Sequence, residues 1–129
     1  ETSEEKGKAL DIPPYPPVKG KYWCIDEVFG GQWFQTDIPT LQMVENELTS
    51  RMQAEGYNAT CSLNDAYYLM GHELIGAGEA FGWVYPGKGH KMADLTISSK
   101  IINGELVIVI SPDVSIIDDE YFEVKRDNY

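Results

Sequence analysis

The chain has 129 residues, 43% hydrophobic and 12% aromatic, enough for one domain with its own core and too apolar to stay disordered. Its 21 acidic against 10 basic residues give a formal charge of −11, which repels phosphate backbones and anionic headgroups. Nucleic acid is thereby excluded as a natural partner, and a membrane is expected only through a segment upstream of this chain.

The first residue is Glu1, and the opening stretch lacks the charged start and apolar middle of a signal peptide, so the sequence reads as a piece of a longer polypeptide. Residues 1–20 form a proline-rich arm in which Pro13, Pro14, Pro16 and Pro17 favour extended polyproline geometry. Ile12, Tyr15 and Val18 then recur at three-residue spacing along one edge. They are expected to anchor the arm in an apolar groove of this domain or of a neighbouring copy, with Tyr15 the most buried; the plainer alternative is a linker.

Residues 21–112 carry the domain. A hairpin is predicted from residues 21–28 and 32–36, turning at Gly30 and Gly31. A helix follows, capped by Asp37, with Pro39 in its first turn and Leu41, Val44, Leu48 and Met52 on its buried stripe. It should stop at Gly56, with Glu45 and Arg51 toward water. Ser62 and Asp65 resemble a capping box for a second, shorter helix whose stripe runs through Leu63, Ala66, Tyr67, Met70 and Leu74.

Glycines between 76 and 89 break regular structure around a short aromatic strand, 81–85. Beyond it, Asn103 and Gly104 are the preferred pair for a two-residue type I′ loop. That turn sets Ile102 against Glu105 and Ile97 against Ile110, so Ile97, Ile101, Leu106, Ile108 and Ile110 are expected buried on one face. Val107 and Val109 make the later strand apolar on both faces, which suits an inner strand. Residues 113–129 form an acidic and aromatic tail or edge strand. The architecture expected is α+β, an antiparallel sheet with two helices packed on one face.

Catalytic patterns are mostly imitations. Residues 82–88 match the start of a phosphate-binding loop, but the eighth place is Gly89, which offers no hydroxyl to magnesium, and the interior is aromatic. Gly76, Gly78 and Gly82 follow a helix instead of a strand, unlike a dinucleotide fingerprint. His72 and His90 stand eighteen residues apart, outside paired ligand spacing, and His72 suits a helix-end role toward the last carbonyls. Cys24 and Cys61 permit one bridge but carry no spacing motif, and two separate buried thiols is the favoured reading. The acidic residues from Asp113 to Glu120 lack the glycine-bearing calcium loop. No cofactor and no metal are expected.

Asp37, Ile38 and Thr40, then Asn46, Glu47, Leu48 and Arg51, then residues 62–65 with Tyr67, Tyr68 and Gly71, followed by Gly82, Trp83 and the last hairpin up to Pro112, carry a resemblance. Over residues 22–112 the chain resembles the C-terminal domain of an uncharacterised family encoded by phages and prophages. The resemblance implies full-length relatives with a hydrophobic, membrane-associating N-terminal region, a virion or host-membrane location, and no activity to transfer. The expected function is a non-enzymatic interaction or structural domain using Ile12, Tyr15, Val18, Trp23, Trp33 and Trp83. The alternative is a small hydrolase using His72 or carboxylates near the loop 76–90.

Overall fold

A computed structural model describes residues 11–85 and 92–118. Strand β1 (Tyr22–Asp26) turns back into β2 (Phe34–Thr36), and α1 (Ile38–Glu55) starts two residues later. The Asp37 carboxylate accepts from the Thr40 backbone N–H at 2.8 Å, and Pro39 occupies the first turn, where its missing donor costs nothing. After β3 (Thr60–Ser62), α2 (Leu63–Met70) opens on the complete Ser62 and Asp65 capping box and closes at Gly71 in the left-handed region. A 3₁₀ turn (Gly76–Glu79), β4 (Phe81–Val84), β5 (Ile97–Ile102), β6 (Glu105–Ile110) and β7 (Ser115–Ile116) complete the described chain.

The fold is α+β and mostly antiparallel, but its strands divide between two sheets. The first has the order β2-β1-β6-β5, with β1 and β6 parallel and the other pairs antiparallel; the second has the order β3-β4-β7 and is antiparallel throughout. The last hairpin adopts the expected register, with Ile102 facing Glu105 and Ile97 facing Ile110. Asn103 (φ 54°) and Gly104 (φ 80°) both have the positive φ that a type I′ loop needs. Strand β6 is interior and apolar on both faces. Ile108 and Ile110 meet Cys24, the α1 stripe of Leu41, Val44, Leu48 and Met52, and the α2 stripe of Leu63, Ala66, Tyr67 and Met70. Val107 and Val109 cluster with Trp23 and Ile25 on the opposite face.

Several expectations need correction. Ile101 (73% exposed) and Leu106 (47%) lie at the hairpin tip on the helix-bearing side, beyond the first turn of α1, and stay open to water. Glu45 is buried rather than solvated, because its Oε2 accepts the Leu95 backbone N–H at 2.8 Å. Leu74 falls after the Gly71 cap and is exposed. Among the described residues no helix is long and apolar enough to cross a membrane.

Candidate functional site

The runner-up chemistry centres on His72. Its ring stacks on Tyr67 with centroids 4.1 Å apart and meets Phe34 edge-on at 5.0 Å. Nδ1 lies 2.6 Å from the Glu73 carbonyl, so it carries a proton and donates, while Nε2 is buried without a hydrogen-bond partner among the described residues. The helix-end role therefore falls to the His72 backbone N–H, which donates to the Tyr67 carbonyl, and not to the imidazole. Nε2 lies beneath Gly31, where an added Cβ would sit 3.3 Å away. Beside it, the Tyr67 hydroxyl donates to Asp26 Oδ2 at 2.5 Å, while Asp26 Oδ1 accepts from Val28 and Phe29 N–H and closes the turn after β1. Burial, then the Asp26 hydrogen bond and charge, push the phenol's pKa well up. The Tyr67 phenol and the Asp26 carboxylate satisfy one another and brace α2 against β1.

The other candidate catalytic groups are also committed to structure. Cys24 and Cys61 are free and buried, and burial pushes their thiols up to about 12 and about 11, with Asp26 and Asp65 charges adding to it. Both stay protonated near neutral pH and are poor nucleophiles. In the glycine-rich segment, Asn64 Nδ2 donates to the Ile75 carbonyl and to Glu79 Oε2, each at 2.9 Å, and Asn64 Oδ1 accepts the Ile75 N–H. Gly78 is required there, since a Cβ would fall 2.1 Å from Asn64 Oδ1. The remaining places of the phosphate-loop imitation, 86–89, together with His90, lie outside the described residues, as does the tail beyond Asp118. Among the described residues no three of His, Cys, Asp and Glu converge where a metal could be held.

The arm docks on its own domain. Ile12 packs on the cluster of Trp23, Ile25, Val107 and Val109, joined by Trp33 and Ile102. Tyr15 is 60% exposed and Val18 65%, so the deepest anchor is Ile12 and not Tyr15. The physical reason is that Tyr15 contributes its backbone: the Trp23 indole N–H donates to the Tyr15 carbonyl at 3.1 Å, and the two rings meet edge to face. Val18 turns outward because its backbone is occupied, its N–H donating to Gln35 Oε1 and its carbonyl accepting the Lys21 N–H. Trp23 and Trp83 are buried and spend their surface inside the domain, whereas Trp33 is half-buried.

Open apolar surface gathers instead where the first sheet outruns its helices. Tyr22, Ile38, Pro39 and Leu106, with Ile108 as floor, line a groove of about 420 Å³ between the start of α1 and the first residues of the parallel strands β1 and β6. Tyr22, Ile38 and Leu106 are each roughly two-fifths to one-half exposed, and Ile101, paired with Leu106, extends the surface to the edge strand β5. Asp37 marks the polar rim: hydrogen bonds from Thr40 first, then Lys21 at 3.0 Å, hold its carboxyl down at about 2. Sequence reasoning missed this surface because apolar alternation along β6 was equated with burial. The available signal was position, since Ile101 and Leu106 each stand beside a residue flanking the loop.

Fold and surface together define a two-sheet α+β domain in which most buried polar groups are paired, Thr36 Oγ1, His72 Nε2 and Trp83 Nε1 being the exceptions among the described residues, and whose open apolar surface sits at one end of a sheet. A family profile matches residues 3–119, and the chain belongs to that family, a family of unknown function, DUF6353. Comparison with curated proteins and with solved structures found no match.

Proposed function

We propose that this chain is a non-enzymatic protein–protein interaction or structural domain of phage origin, either a component of a virion-type assembly or the soluble head of a membrane-tethered protein. The observation that carries the interaction reading is the sheet end left open among the described residues, where Tyr22, Ile38 and Leu106 line a groove and exposed Ile101 continues it onto the edge strand β5. Contiguous open apolar surface with a polar rim is what interfaces use, because association removes it from water. The resemblance to phage- and prophage-encoded proteins supports the assembly or tethered-head setting.

The test replaces Ile101 and Leu106 together by Lys in the natural protein. Thermal unfolding stays as it was, because both side chains already face water, while the native-size complex in gently lysed producing cells is lost. Retention of that complex contradicts the reading.

One observation favours a hydrolase as a second reading: among the described residues His72 Nε2 has no hydrogen-bond partner. A working base must be reached from solvent. Acylation of His72 by diethyl pyrocarbonate in the native protein, located by mass spectrometry, would favour the enzyme; an inert His72 favours the interaction domain.

A further inference from the structure

The face of the first sheet that turns away from the helices is unusual in what covers it. Trp23, Ile25, Val107 and Val109 are all nearly inaccessible there, and among the described residues the partly buried hydrophobic side chains packed on them are Ile12, Trp33 and Ile102. Ile12 belongs to the arm, whose described part, residues 11–20, contributes no strand to the sheet. Its contacts are of another kind. An indole N–H from Trp23 donates to the Tyr15 carbonyl, the Tyr15 ring stands edge-on at 5.6 Å and 68° to Trp23, and Gln35 Oε1 accepts the Val18 N–H at 2.6 Å.

Aromatic surfaces recognise proline-rich segments by this kind of chemistry. Prolines 13, 14, 16 and 17 have no N–H to pair in a ladder, the chain bends at Pro14 and Tyr15, and there the Trp23 N–H reads the Tyr15 carbonyl while Ile12 packs beside it. The prolines restrict the segment before it docks, so less conformational entropy is lost on binding.

The tie between arm and sheet is short and turns sharply. The Lys21 N–H donates to the Val18 carbonyl, and Gly20 has φ 85° with open space around the position a Cβ would take. A change at this turn alone would carry the arm to another molecule, where every contact of Ile12, Tyr15 and Val18 could form again unchanged. Closed monomer and arm-exchanged dimer would then differ only in the turn, in association entropy and in the repulsion of two chains of charge −11. Salt screens the repulsion.

We propose that the outer face of the first sheet is a receptor for a proline-rich segment, and that its occupant in trans is the arm of a second copy of this chain, residues 11–18. The proposal deepens the interaction reading and rests on it, but uses a different surface from the Leu106 groove. Copies linked arm to face would give a protein of an assembly a way to join like to like.

The experiment uses the full chain carrying Ile12→Asp, which loosens the resident arm, a competitor present at roughly millimolar effective concentration. A synthetic peptide of residues 11–20 is titrated against it and followed at the Trp23 indole N–H resonance, assigned by its loss in Trp23→Phe. The resonance shifts saturably, and a peptide with its four prolines replaced by Ala binds about tenfold more weakly or worse. In parallel, the unaltered chain at rising concentration in high salt sediments increasingly as a dimer, a measurement that stands even if Ile12→Asp fails to fold. An indole resonance that stays in place up to millimolar peptide, equal binding of the two peptides, or a monomeric mass throughout overturns the proposal. The same sedimentation run on the chain with Ile101→Lys and Leu106→Lys keeps the dimer if the arm links the copies, and loss of the dimer there overturns the proposal, so the two readings fail separately.

Discussion

At position 45 a carboxyl group sits in the core-facing stripe of α1, between Val44 and Leu48, and accepts the Leu95 N–H. A buried backbone donor without an acceptor is costly, so Glu45→Ala should destabilise by about 1–3 kcal/mol, while Glu45→Gln keeps an acceptor oxygen and loses less. Urea unfolding checks this; a loss under about 0.5 kcal/mol for Ala would mark the site as ordinary surface. Asp37 gives a second prediction, in pH. Its folded pKa of about 2 lies below the ordinary 3.8, so its stabilising contribution is complete above about pH 4 and is lost as pH falls through about 2. The stability gap between the natural chain and Asp37→Asn should therefore narrow on acidification through that window, and a gap constant from pH 5 to 2 would show that the cap is not titrating.

The elements legible in the sequence are those specified locally. Both helices carry their own start signals, Asp37 with Pro39 and Ser62 with Asp65, and the first its stop at Gly56, and these make the expected caps; the second ends at Gly71, earlier than the stripe through Leu74 implied. The last hairpin is set by two residues whose positive φ leaves one register. Gly104→Val should accordingly cost on the order of 1 kcal/mol or more, because a β-branched side chain is forced to φ 80°. Since the position is open to space, the loss isolates backbone strain; unchanged thermal unfolding would contradict a type I′ loop. What was not legible is long-range. The parallel pairing of Cys24 with Ile108 joins residues far apart in sequence, and the division of β3, β4 and β7 into a second sheet leaves no local pattern. The core-facing role of Glu45 depends on a loop fifty residues away, and the exposure of Leu106 depends on where α1 begins.

Among the described residues, one sheet face is covered by two helices and the other by the proline-rich arm together with Trp33 and Ile102, while one sheet end is left open. The arm was readable as a docking segment from its three-residue spacing, but its deepest anchor and its use of the Tyr15 carbonyl were not, because backbone hydrogen bonding to a tryptophan has no sequence pattern. Removing residues 1–18 should open the face of Trp23, Val107 and Val109 and lower stability by about 1.5–3 kcal/mol, the worth of roughly one buried side chain. Unchanged chemical denaturation would show the arm to be a passive linker. The open end carries the central claim that this is an interaction domain. A photo-cross-linking residue at position 106 of the natural protein, irradiated in producing cells, tests it most directly. A single discrete cross-linked species that disappears with Ile38→Lys, and no such species from a probe at exposed Gln53 on α1, is the predicted result; no adduct at 106, or equal adducts at 106 and 53, would contradict it.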